Sequence, residues 1–141
     1  SMYPLKVAVD SSIRRGNTDI GGLAAKDTNR ATVMIWNYHD NDLHTDGAAA
    51  IDVIIKGVPA KQISITEYRI DHQHSNSYEV WKKMGSPQNP TKAQVKELEE
   101  AGQLKARGKP RKMRVESGSV NIPVSLPRQG VSLLSLQWNE L

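Results

Sequence analysis

An alternation of apolar and polar residues with a period of two runs through most of this chain. It is broken once, by a compact helical stretch between Tyr68 and Leu98. A period of two puts successive side chains on opposite faces of a strand, so the pattern asks for sheets that share a core. The richest run is Ala31–Tyr38, ATVMIWNY, dense in β-branched and aromatic residues. Its Val33, Ile35 and Asn37 face opposite to Met34, Trp36 and Tyr38. Both sets are largely apolar, which suits a central strand covered on each side. At 141 residues the chain has the size of one domain. It is too short for a (β/α)8 barrel, which takes about 250 residues.

Further strands are expected at Lys6–Val9, Asp19–Asp27, Ala49–Lys56, Gln62–Asp71, Lys112–Glu116, Val120–Leu126 and Val131–Trp138. Turn chemistry separates them at Asp27–Arg30, Gly57–Ala60 and Ser117–Gly118. In Gln62–Asp71 the alternation is clean through Ile65 and mixed after it, as in a strand leaving its sheet. Ser75 or Asn76 is placed to cap a short helix carrying Tyr78, Val80, Trp81 and Met84, with Gly85 and Pro87 at its end. Thr91 is placed to cap a second helix, Lys92–Ala101, stopped by Gly102. The spacing predicts a mainly β fold, an antiparallel β-sandwich of about 7–8 strands. One domain spans residues 1–141, with a helical pair inserted at 75–102 and residues 1–17 the least determined part.

Composition removes several classes of function. There is no cysteine, hence no disulfide and no thiolate metal site. No apolar run approaches the ~20 residues that cross a bilayer, so no membrane partner is expected. The net charge of +4 is concentrated: Lys105, Arg107, Lys109, Arg111, Lys112 and Arg114 fall within ten residues. Such a cluster serves either a polyanion or a solvated linker and edge strand, where lysine discourages edge-to-edge pairing. No aromatic residue interleaves with it to stack bases, so a nucleic-acid partner is not expected.

Candidate chemistry is sparse. His39, His44, His72 and His74 offer imidazoles, and a His-x-His pair on a strand puts both rings on one face, as a metal site needs. Loop histidines beside Asp40, Asp42 and Asp71 bond backbone or solvent equally well. A metal-dependent enzyme built on His72 and His74 is one reading, and no metal or other cofactor is the expectation. Glycoside hydrolysis uses two carboxyl groups roughly 5–9 Å apart. Glu67 and Asp71 stand four residues apart in a strand, about 13 Å along the chain. Asp40 and Asp42 lie in a polar loop, His39–Gly47, that offers no desolvation. Asn139 and Glu140 sit at a terminus too frayed to hold an acid in place. No G-x-S-x-G elbow and no phosphate loop occurs. No catalytic residue is therefore assigned. Of the three tryptophans, Trp36 and Trp138 occupy strand positions where core packing is the commoner fate. Trp81, with Tyr78 and Met84 on a short helix, is read as packing that helix onto the sandwich or a neighbouring domain.

Three segments resemble the C-terminal region of glycoside hydrolase family 39, the β-xylosidases. Ala31–Asp42, ATVMIWNYHDND, resembles the strand and loop that follow the barrel in that family. Tyr68–Thr91 carries its Y-R-I-D, H-S-N, W-K-x-M-G and P-x-x-P-T signatures in order, and Leu126–Leu136, LPRQGVSLLSL, resembles its last strand pair. With D-I-G-G-L-A-A-K-D before them, the likeness spans roughly residues 19–138. The helical signature is the specific one, because its order of unlike residues serves no generic periodicity. The resemblance implies a β-sandwich beside a (β/α)8 barrel, whose two glutamates hydrolyse β-xylosides with retention. Neither glutamate has a matching position here. The implied role is a non-catalytic accessory domain partnered by such a barrel, in cis or in trans, with Tyr78, Trp81 and Met84, or else the loop at 39–44, as the interdomain contact. The alternative is an independent module that binds xylan-type sugars, with xylo-oligosaccharide as its ligand.

Overall fold

The computed structural model describes residues 1–9, 19–39 and 47–139. Apolar alternation folds them into two antiparallel sheets of unequal size. The strands are β1 (Tyr3–Pro4), β2 (Asp19–Lys26), β3 (Arg30–Tyr38), β4 (Ala49–Lys56), β5 (Gln62–Ile70), β6 (Arg111–Arg114), β7 (Ser119–Leu126) and β8 (Gly130–Gln137). Between β5 and β6 lie α1 (Ser77–Lys83) and α2 (Lys92–Gly102). The large sheet has the order β1-β2-β3-β8-β5-β6, and β4 with β7 forms the small one.

The core lies between these sheets. Ala31, Val33 and Ile35 of β3, Ile63 and Ile65 of β5, and Leu134 and Leu136 of β8 point inward. Val120, Ile122, Val124 and Leu126 of β7 meet them from the small sheet, with Ile51, Val53 and Ile55 of β4 alongside. Trp138 closes one end at 7% exposure. Alternation is strict along β7 and β8, where every second residue is buried. A one-residue slip in either strand would turn its core set outward, so register is strongly specified.

Two of the crossings between the sheets are short connections. Ser117 and Gly118 have φ values of 49° and 72°, and Glu116 and Ser119 exchange backbone hydrogen bonds at 2.9 Å across them. This is the doubly positive turn that matches strand twist. Gly57, φ 74°, leads from β4 to the buried Val58, whose N–H donates to the Gly118 carbonyl.

Three expectations need correcting. Lys6–Val9 is not a strand; the pairing at this edge is made by Tyr3 and Pro4, and Val7 and Val9 stay exposed. An edge is where proline can sit in a sheet, since its missing N–H faces outward. Gly102 lies inside the last turn of α2, and Gln103 is the cap. The third concerns β5, which does not leave its sheet: it pairs with β8 as far as Ile70, and Glu67, Arg69 and Asp71 continue the inward row.

The helices pack on each other, and neither makes a substantial contact with a strand. Neither contains a buried residue. Among the described residues no helix is long and apolar enough to cross a membrane.

Candidate functional site

The turn from β5 into α1 accounts for the residues of the Tyr68–Asn76 signature. Asp71 Oδ1 accepts from the N–H groups of Gln73 (2.8 Å) and His74 (2.9 Å) and from His74 Nδ1 (2.7 Å). The carboxylate can only accept, so His74 donates through Nδ1. Asn76 Nδ2 donates to the Asp71 carbonyl, and its Oδ1 caps α1 by accepting from Glu79 N–H. Ser75 takes a φ of 52° between them. At the other end, Gly85 at φ 87° lets Ser86 N–H reach Trp81 O and Gly85 N–H reach Lys82 O. That pair of bonds is the Schellman ending that glycine favours.

α1 brings Tyr78, Trp81 and Met84 to one compact element. Tyr78 and Trp81 stack with centroids 5.7 Å apart, and the Trp81 indole N–H donates to Pro87 O at 3.0 Å. Lys82 Nζ lies 4.9 Å from the Tyr78 ring centroid. Tyr78 is exposed, whereas Trp81 and Met84 are half-buried. Met84 is also the C-cap residue.

Glu67 and Asp71 flank Arg69 on the inward side of β5. Arg69 Nη2 lies 2.6 Å from Glu67 Oε1, and its Nη1 lies 4.0 Å from Asp71 Oδ2. Ser132 Oγ donates to Glu67 at 2.8 Å, and Arg107 reaches its other oxygen at 3.3 Å. Burial works to raise the Glu67 carboxyl, but the Ser132 hydrogen bond and the Arg69 and Arg107 charges outweigh it. Asp71 is likewise pushed up by burial and drawn down further by the Gln73 N–H and by His74. Both groups therefore sit below their ordinary values of 4.5 and 3.8. A general acid must hold its proton near neutrality. These two carboxylates are instead fixed as ionised partners of a buried arginine.

The histidines are dispersed. His72 is exposed, 3.6 Å from Glu79, and His74 is engaged by Asp71. Both lie in the turn after β5, where no strand sets their rings on a common face. His39 Nδ1 faces Arg128 Nη1 at 2.9 Å, and its Nε2 faces Asn37 Oδ1 at 2.8 Å. Arginine only donates, so Nδ1 accepts and Nε2 carries the proton. Asn37 in turn donates to Leu126 O, locking β3 to the β7–β8 connection. His44, Asp40, Asp42 and Glu140 lie outside the described residues. Among the described residues no three histidine or carboxylate groups are gathered as a metal would require. The basic run is exposed along the β5–β6 edge, with Arg107 anchored through both its side chain and its N–H to Glu67.

Sequence reasoning missed a different surface, the outward side of the large sheet. Leu23, Met34, Leu133 and Tyr68 lie opposite one another across β2, β3, β8 and β5. The adjacent row on the same face is Gly21, Trp36, Val131 and Ile70. Toward the other end, the rows become Ala25, Thr32, Ser135 and Thr66, then Arg30, Gln137, Ser64 and Lys112. Leu23 is 53% exposed and Ile70 44%, and the other large apolar side chains of these rows are half-buried. Trp36 thus lies outside the core, contrary to expectation, and β3 is covered by the small sheet on one side only among the described residues. The signal was present in the sequence: Val131 and Leu133 are apolar on the outward positions of β8, as Met34 and Trp36 are on β3.

The sequence profile of glycosyl hydrolases family 39 matches residues 11–121. Among curated proteins no sequence matches. The fold is similar to that of the GH39 enzyme from Xanthomonas axonopodis pv. citri, at 21% identity and a TM-score of 0.70, over 82% of this chain and 25% of that one. A monomeric β-xylosidase from Caulobacter crescentus CB15 aligns at 19% identity and TM-score 0.63, over 82% of this chain and 26% of its own length. The bacterial orthologue of human α-L-iduronidase aligns at 17% identity and TM-score 0.69, over 86% of this chain and 22% of its length. The chain thus spans about a quarter of each of these structures.

Proposed function

This chain belongs to glycosyl hydrolases family 39, and from that membership we propose that it is the family's non-catalytic accessory β-sandwich, supporting a (β/α)8 barrel that carries the chemistry. The observation that favours this reading is what became of the two best carboxylates. Glu67 and Asp71 are held ionised around Arg69, and a glycosidase pair needs one member protonated and a gap that admits substrate. The similarity to about a quarter of much longer glycoside hydrolase structures fits a supporting part. The stacked Tyr78–Trp81 pair and Met84, on a helix that leaves the sandwich free, are a contact for a neighbouring domain.

Incubation with an aryl β-xyloside tests the reading. The purified chain is expected to leave it intact, and turnover above a heat-killed control overturns the proposal. A rival role, an independent module for xylan-type sugars, calls for quenching of tryptophan fluorescence by xylo-oligosaccharide that Trp81→Ala abolishes. The accessory role expects no saturable quenching.

A further inference from the structure

We propose that the β6 edge of the large sheet is a binding strip for an acidic polysaccharide that carries a carboxylate on each sugar ring. The inference goes beyond the accessory role and uses none of its surfaces. Lys105, Arg107, Lys109, Arg111, Lys112 and Arg114 are all exposed. No carboxylate lies within the run, and Glu116 is the first beyond it. Arg107 is engaged by Glu67, and the other five make no ion pair among the described residues. Protection of an open edge does not account for the run. β6 is the last strand of its sheet among the described residues, and charged side chains on such a strand discourage pairing. Lys105, Arg107 and Lys109, however, precede the strand and guard no ladder.

Register draws these cations into a line. Ala106 bridges to Tyr68 and Arg114 pairs with Gln62, so the run follows β5 for about 20 Å at the usual strand rise. That leaves about one unpaired cation every 4–5 Å. Lys112 and Arg114 stand on one side of the edge with Ser64 and Gln62, and Arg111 stands on the other with Ile65. A linear polymer lying along the edge is thus met from both sides. Charge spacing decides which polymer. Duplex DNA carries a charge every ~1.7 Å, far denser than this line. The run also holds no aromatic residue to stack the bases of a single strand. An acidic peptide adding as a strand finds little free backbone. The Val115 N–H is turned to Lys61, so by alternation only Lys112 and Arg114 of β6 face away from β5. Pro110 before them has no N–H to offer. A polyuronate spaces its carboxylates one ring apart and needs no backbone partner. Arg111 and Arg114 supply the forked guanidinium that holds a carboxylate through two bonds.

Affinity electrophoresis of the full chain through gels containing polygalacturonate tests the assignment. Retardation is expected with polygalacturonate and not with unsubstituted xylan, and it is expected to fade as salt is raised. Arg111→Gln with Lys112→Gln and Arg114→Gln, checked for native circular dichroism, is expected to weaken binding by about tenfold or more, because each lost cation removes a charge contact. Lys26→Gln with Lys92→Gln and Lys96→Gln removes the same charge from exposed sites elsewhere and is expected to leave binding nearly unchanged. Equal losses in the two triple variants mean attraction by net charge alone and overturn the proposal. Absence of retardation in polygalacturonate overturns it as well. Stronger competition by duplex DNA than by free polygalacturonate, at equal charge concentration, assigns the strip to nucleic acid and also overturns it. None of these readouts involves the barrel, so the accessory role stands or falls separately.

Discussion

Gly21 lies directly beneath the indole of Trp36: a Cβ built on Gly21 would stand 2.5 Å from Cζ2 and 2.7 Å from Nε1 of that ring. The two residues pair across β2 and β3 on the outward face. The missing side chain is what allows the ring to lie against the sheet. Gly21→Ala is expected to lift or rotate the indole and to destabilise the fold by about 1–3 kcal/mol, the range for overpacking. Denaturant unfolding measures this. Adding Trp36→Leu is expected to recover most of the loss, because the pair is coupled through one contact.

Glu67 and Arg69 form a second dependent pair. Their side chains are 10% and 4% exposed, and Arg69 Nε has no partner among the described residues, so the arginine relies on Glu67 and Asp71. Glu67→Ala is expected to cost about 3–5 kcal/mol, since removal of one member leaves a buried charge uncompensated. Replacing Glu67 and Arg69 together by Leu and Met is expected to cost less than Glu67→Ala alone, as urea titration of the three proteins would record.

Acid stability follows from the lowered carboxyls of Glu67 and Asp71. The folded state prefers both in ionised form, so as pH falls the unfolded chain takes up protons first, and stability drops. Their contribution is complete above the ordinary values of 4.5 and 3.8 and disappears as pH passes down through the lower folded-state values. Thermal unfolding midpoints should be level from pH 7 to about pH 5 and fall below that. Asp71→Asn keeps an oxygen for the Gln73 and His74 N–H groups while removing the charge. It is expected to lower the neutral-pH midpoint and flatten the acid slope, whereas Asp71→Ala also loses the turn.

The Ser117–Gly118 turn gives a prediction about connection geometry. Gly118 holds a φ of 72°. Gly118→Ala is expected to destabilise by about 1 kcal/mol, because alanine resists that conformation. Ser117→Asn is expected to be neutral or slightly stabilising, since asparagine tolerates positive φ and favours this turn. Parallel thermal melts of the two variants distinguish the effects.

The strands were legible because their burial follows sequence alternation: Val120–Leu126 differs from the observed strand by one residue at its start, and Val131–Trp138 by one residue at each end. The helix caps were legible because Asn76, Thr91 and Gly85 have side chains, or lack one, for a definite local reason. The charged half of β5 was misread, since Glu67 and Arg69 look like departure from a sheet until Ser132 and Arg107 are brought beside them from distant segments. The outward face was also hidden. An apolar residue on the second face of a strand looks the same in sequence whether a layer covers it or not, and only the two-strand width of the second sheet and the isolation of the helical pair showed that Met34, Trp36 and Leu133 lack a cover among the described residues.

Thermal unfolding of the barrel of the Caulobacter β-xylosidase, its matching sandwich removed, with and without an equimolar amount of this chain, tests the supporting role most directly. Binding to the folded barrel alone must raise its midpoint, and increasingly so with added chain. A midpoint that climbs as this chain is added is the predicted result. An unchanged midpoint at every ratio would contradict the account.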